Sequence, residues 1–217
     1  MNCDSIARWY RWLEYAGFGS ELQRRRIAFL HSVTGARRVL VLGEGDGRFL
    51  ARLVEQNLSS STDYVDLSAQ MLQLARERAG SDRVVYHHAS ALTIPLAESE
   101  YDLVCTHFFL DCLNQNDTER MVDRIVRAMA PGGRWLISEF REPNWWTRAV
   151  VRGLYFFFRL TTSLATQQLV DHHPLLERAG FRLECSETSR FGLLVSELWS
   201  KECRRDPVAS ARGSVPP

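Results

Sequence analysis

Apolar positions along this chain alternate between two rhythms. Short runs rich in apolar residues at 39–42, 62–66, 84–86, 101–106, 134–137 and 192–199 read as strands. Between them lie stretches with helical spacing, over 46–57 and from Asn116 through Met129, where Asn116 and Glu119 are spaced as a capping box. Pro131-Gly132-Gly133 predicts a turn into the fifth strand, and Gly180-Phe181 the start of the sixth. Ahead of the first strand, Ile6, Trp9, Tyr10, Leu13 and Ala16 fall on one helical face behind a Ser5 cap. After Gly17-Phe18-Gly19 a second helix is predicted from Ser20 to Val33, with Leu22, Phe29, Leu30 and Val33 on its apolar side. Strands alternating with helices predict an α/β fold, a doubly wound and mostly parallel sheet.

The first strand empties into Gly43-Glu44-Gly45-Asp46-Gly47 and then a helix. Glycines at alternate positions permit positive φ and let a ligand touch bare backbone. In a doubly wound sheet this turn is where a nucleotide-like cofactor sits. The dinucleotide pattern would need glycine at position 48, which is Arg48, so a pyrophosphate site and a nicotinamide enzyme are disfavoured. The second strand ends in Asp66, a carboxylate placed to accept hydrogen bonds from both hydroxyls of a ribose.

These features together resemble the class I S-adenosylmethionine-dependent methyltransferases, over the chain from about 38 to 200. The resemblance implies a seven-stranded sheet with an antiparallel last strand, helices before the first strand and a helical lid. It implies that Gly43, Gly45 and Gly47 approach S-adenosylmethionine and that Asp66 holds its ribose. Leu67 and Met71 would flank adenine, and Ser90, Ala91 and Leu92 follow the third strand where the family commonly has an acid for the adenine amine; here that position is Ser90. A second departure is Val41, where many members carry an acid that helps place the methionine end. Glu44, inside the turn, either faces the ligand's ammonium group or caps the turn. At the fourth-strand exit, His107 or Asp111 is a candidate to take the acceptor's proton, and Phe108 to flank the cofactor. Val41 and Ser90 leave a second reading, a cofactor-binding protein that no longer catalyses and serves as a regulator or partner subunit.

With 217 residues, 45% of them hydrophobic and 24% charged, one globular domain over 1–203 is expected, with a disordered tail at 204–217 where apolar periodicity stops. A net charge of +1 gives no electrostatic footprint for nucleic acid. The basic run Arg24-Arg25-Arg26 is read as a solvated helix face. Five cysteines without a C-x-x-C pair suit reduced cytoplasmic thiols and carry no zinc signature, and the N-terminus has no export pattern.

His172-His173 lie before Pro174, with no carboxylate at ligand spacing, so they are read as a turn exposed to solvent or edging the pocket, and no metal is expected. His87-His88 end the third strand, one of them facing out. The insertion at 143–179 holds Trp145-Trp146 and the apolar run 149–160, then a further helix over 166–179. Arg152 and Arg159 interrupt the run well short of the roughly 20 apolar residues that span a bilayer. It is read as a lid over a hydrophobic acceptor, with shallow membrane contact as a lesser alternative. The expected activity is methyl transfer to a small, apolar acceptor; oligomeric state is left open.

Overall fold

The computed structural model describes residues 18–57, 60–161 and 169–202, leaving aside the side chains of 154–161. The helix predicted around Ile6 to Ala16 and the tail at 204–217 lie outside the described residues. Seven strands form one sheet: β1 (Arg38–Leu42), β2 (Ser61–Asp66), β3 (Val84–His88), β4 (Tyr101–His107), β5 (Met129–Phe140), β6 (Phe181–Thr188) and β7 (Leu194–Lys201). Their order is β3-β2-β1-β4-β5-β7-β6, with β1 to β5 parallel and β7 antiparallel to both of its neighbours. Strand order reverses between β1 and β4, the switch point where an open α/β sheet leaves a crevice at its carboxyl end.

Among the described residues six α-helices accompany the sheet: α1 (Glu21–Ile27), α2 (Arg48–Gln56), α3 (Ala69–Ala79), α4 (Gln115–Ala128), α5 (Trp145–Thr161) and α6 (His173–Arg178). Each face has its own core. Leu50 and Leu53 of α2 and Ala75 of α3 pack with Val39, Val41, Tyr64 and Leu103 on one side. Met121 and Ile125 of α4 and Leu176 of α6 pack with Trp135, Ile137 and Trp199 on the other. Central strands covered on both faces explain why β1 reads as an unbroken apolar run over 39–42 and β4 over 103–105.

Several boundaries differ from the sequence reading, each for an identifiable reason. The helix expected from Ser20 to Val33 is α1 followed by a 3-10 turn at Leu30–Val33, which lets Leu30 and Val33 turn into the core beside β1. The cap of α4 is Asn114 rather than Asn116: its Oδ1 accepts from Asp117 N at 3.0 Å and its Nδ2 donates to Asp117 Oδ2 at 2.9 Å. Pro131 to Gly133 lie within β5 as a bulge, since Tyr101 pairs with Met129 but Leu103 with Arg134. The helix expected over 166–179 is only α6 among the described residues, because Pro174 in its first turn has no N–H to continue a helix from upstream.

Candidate cofactor and acceptor site

The β1–α2 turn is held by its own side chains. Gly43 N donates to Val65 O at 2.9 Å, tying the turn to β2. Glu44 is buried; its Oε1 accepts from Phe49 N at 3.1 Å, in the first turn of α2, and its Oε2 lies 3.1 Å from the Tyr64 hydroxyl, which also donates to Gly45 O at 2.7 Å. Of the two sequence readings of Glu44, the cap is the one visible in these contacts. Burial raises its pKa to about 7. Gly45 has φ +92°, and a Cβ there would meet nothing nearer than Met71 Sδ at 4.0 Å, so its backbone faces open space. Gly47 serves a different end: with φ +77°, its Cβ would lie 2.5 Å from Ala75 Cα, so its missing side chain lets α2 and α3 approach.

Asp66 closes the opposite wall. Its Oδ1 accepts from Ser68 N at 2.8 Å, the Ser68 hydroxyl caps α3 at Met71 N, and the Gly45 and Leu67 N–H groups also bond the carboxylate. Burial outweighs these bonds and lifts Asp66 to about 6. Ser90 Oγ accepts from Leu92 N at 3.3 Å and shapes the loop after β3.

At the exit of β4 His107 is buried and its Nδ1 lies 2.9 Å from Ser138 Oγ, which in turn donates to Arg25 O at 3.1 Å. Because that hydroxyl proton goes to the carbonyl, His107 carries its proton on Nδ1 and presents a bare Nε2 lone pair. This buried Nε2 has no partner among the described residues. Burial, then the Arg26 charge, hold His107 well below its ordinary pKa and keep it neutral. Phe108 adopts φ +53°, a strained conformation for a bulky residue, held by its N–H to Ser138 O at 2.7 Å and its ring against Phe140 at 5.2 Å. The turn that follows hangs on Glu139, a buried carboxyl at the end of β5 that accepts from the N–H groups of Phe109, Leu110 and Asp111.

One cavity gathers these groups at the carboxyl ends of β1, β2 and β4. Of the candidates, Gly43, Glu44, Gly45, Asp66, Leu67, Met71, Ser90, Ala91, Leu92, His107 and Phe108 line it. Gly47 and Asp111 are not among the lining residues. Asp111 is buried against Cys112, whose thiol donates to Asp111 Oδ1 at 3.3 Å, and burial raises its pKa to about 6. Val65, Ala89, Phe109, Cys112 and Leu113 also line the cavity and carried no sequence signal beyond being apolar or small.

The basic run requires a correction. Arg25 and Arg26 are buried, not solvated. Arg25 Nη2 pairs with Glu187 at 2.7 Å, and the Arg26 guanidinium lies over the Phe108 ring at 5.2 Å, near enough to Glu44 to lower its pKa. Only Arg24, bonded to Glu21, lies on the exposed side. The histidine pair at 172–173 is corrected as well, since Glu197 from β7 meets both rings. His88 is the exposed member of the other pair, while His87 bonds Asp63 at 3.0 Å.

These buried acids predict an unusual stability profile. Glu44, Asp66, Asp111 and Glu139 all have raised pKa values, so the folded protein takes up protons as pH falls through about 7 to 5 while the unfolded chain does not. Stability therefore rises over that window; depressed His107 opposes it below about 6.5, one group against four. Glu197, held near 2 against burial by its hydrogen bond and charge interaction with His172, loses its contribution only below about 4.5. The expected result is a higher Tm at about pH 5.5 than at about pH 7.5, read by calorimetry; a monotonic fall on acidification would contradict it.

Comparison with known proteins gives a consistent picture. A family model described as a methyltransferase domain matches residues 39–133, the span from β1 into β5. The demethylmenaquinone methyltransferase of Thermus thermophilus is 30% identical over 142 residues, covering 64% of this chain and 64% of that protein. A ubiquinone/menaquinone biosynthesis C-methyltransferase of Shewanella sediminis is 27% identical over 171 residues, 74% of this chain and 66% of that protein. The chain thus spans about two thirds or less of the relatives it matches. The N-methyltransferase NodS of Bradyrhizobium japonicum, solved with S-adenosyl-L-homocysteine, shares the fold with a TM-score of 0.60 at 16% identity, covering 84% of each chain. The glycine turn, the acid closing β2, the reversed β7 and these likenesses agree: residues 39–133 match a methyltransferase domain, and the chain has the Rossmann-like fold of the class I S-adenosylmethionine-dependent methyltransferases.

Proposed function

We propose that the protein transfers a methyl group from S-adenosylmethionine to a small, apolar acceptor of the quinone, phenol or lipid-like class, acting in the cytoplasm. The observation that carries this reading is the convergence on one cavity of the Gly45 backbone, the Asp66 side chain and residues 107–109 at the exit of β4. When bound, S-adenosylmethionine supplies a methyl carbon made electrophilic by its sulfonium. Asp66 offers carboxylate oxygens to a ribose diol, Leu67 and Met71 flank adenine, and Ser90 to Leu92 close its edge. Gly45 admits the amino-acid end beside Glu44 and the Arg26 guanidinium, while the missing side chain of Gly43 makes room for the Phe109 ring.

Alignment is the main service the protein performs, since holding two reactants in line is worth roughly 7–11 kcal/mol at best. His107, neutral and lining the cavity with its Nε2 buried just behind the wall, is assigned to accept a hydrogen bond or a proton from a bound acceptor; Asp111 is not among the lining residues. Exposed Trp145 and Phe191, with Trp146 in edge contact with Phe191 at 6.1 Å, make a lipophilic approach at the insertion. Among the described residues no helix is long and apolar enough to cross a membrane. The quinone relatives favour a ring acceptor over a phospholipid.

Incubating the protein with methyl-labelled S-adenosylmethionine and a panel of demethylated quinols and phenols tests this reading. Label transfer to a ring acceptor is the expected result, and transfer to none of them would overturn it. His107→Phe keeps the packing on Phe49 but removes the acceptor, and is expected to lower kcat roughly 100-fold, the low end for a proton acceptor. Unchanged turnover would remove His107 from the chemistry.

A further inference from the structure

We infer that His172, His173 and Glu197 form a binding site for one divalent transition-metal cation of the zinc class. None of the three lines the cavity between β1 and β4, and the inference does not depend on methyl transfer.

The local sequence explains how adjacent histidines come to face one point. Pro174 stands in the first turn of α6, so the chain enters that helix from a turn, with His172 at the cap position. There φ is −81° and ψ −17°, and the two rings lie 5.1 Å apart, tilted by 53°. Both are aimed at Glu197 in the middle of β7. His172 Nε2 is 2.9 Å from Glu197 Oε2 and His173 Nε2 is 2.7 Å from Glu197 Oε1. One ligand atom from each residue can be chosen so that all lie within 4.8 Å of one another. A metal with bonds of about 2.0–2.2 Å places adjacent ligands roughly 3–3.5 Å apart, so small ring rotations suffice to seat an ion among them.

The surroundings are those of a supported ligand set. Glu197 has no exposed surface, and its Oε2 also accepts from Trp199 Nε1 at 3.0 Å, which fixes the carboxylate plane. Trp199 further meets the His173 ring edge-on at 5.0 Å, and Asp171 Oδ1 accepts from His173 N at 3.1 Å. Three protein ligands leave at least one coordination position, and the cluster opens onto a cavity lined by Arg141, Glu142 and Val170, where solvent can supply an oxygen. Two imidazoles and one carboxylate favour Zn²⁺, Co²⁺ or Ni²⁺ over Mg²⁺ and Ca²⁺.

Titrating the metal-free full-length protein with Co²⁺ alone tests the site. One equivalent should bind with visible d–d absorption, be displaced by Zn²⁺, and be indifferent to millimolar Mg²⁺. His173→Ala alters a ligand that is 31% exposed, so it can be made without opening the core. It is expected to weaken Co²⁺ by more than the roughly 10–100-fold that losing a supporting group costs. Zn²⁺ should also raise the Tm of the parent protein and not that of His173→Ala. No stoichiometric Co²⁺ uptake by the parent would overturn the inference. So would uptake of equal affinity in a folded His173→Ala, which would place the ion elsewhere and leave the cluster as a hydrogen-bonded brace.

Discussion

Replacing Asp66 with alanine is expected to weaken S-adenosylmethionine binding by roughly 2–5 kcal/mol, the scale of losing a charge-assisted, bidentate contact. Two features of the apo structure support so large an effect. The carboxyl is buried at the end of β2, and backbone N–H groups from Ser68, Gly45 and Leu67 orient it, so little reorganisation is needed for it to meet a diol. Burial nevertheless dominates and raises its pKa to about 6, which marks a charge short of partners. Ligand hydroxyls would relieve that shortage. Affinity should therefore rise with pH through about 6 and level off above it, because the deprotonated carboxylate is the better acceptor. Titration calorimetry of parent and variant reads both effects, and unchanged affinity in Asp66→Ala would refute the assignment.

Gly47→Ala is expected to destabilise the fold by roughly 2–5 kcal/mol, the sum of about 1–2 for a left-handed backbone and about 1–3 for overpacking. At φ +77° the new Cβ would stand 2.5 Å from Ala75 Cα and 2.7 Å from Ala75 Cβ. Neither is the tip of a flexible side chain, so α2 and α3 must separate. That displacement would carry the glycine turn with it and lower cofactor affinity as well. A denaturant midpoint within experimental error of the parent would contradict this. Paired with Asp66→Ala, the variant separates the architecture of the turn from its chemistry.

What could be read from the sequence was local. The β1 run, the alternating glycines and the carboxylate closing β2 lie within one βαβ unit, so neighbouring residues specify one another there. The features that escaped depend on contacts far apart in sequence. Arg25 and Arg26 look solvated in a basic run, yet α1 lies on β5 and β7, where Arg25 O accepts from Ser138 and Ser196. Glu139 reaches back to residues 109–111, and Glu197 meets His172 and His173 across 25 and 24 positions; no spacing rule pairs them. The capping box expected at Asn116 and Glu119 does not form. Asn114 caps the helix at Asp117, and Glu119 accepts from Gln115 Nε2 at 2.7 Å within it. Val41, a departure from the family pattern, is simply a buried core residue on the α2–α3 face.

The central claim is that the cavity between β1 and β4 binds S-adenosylmethionine. The direct measurement is calorimetric titration of the purified protein with S-adenosylmethionine and with S-adenosylhomocysteine. The account predicts one site per chain with micromolar affinity for both; no binding of either would contradict it.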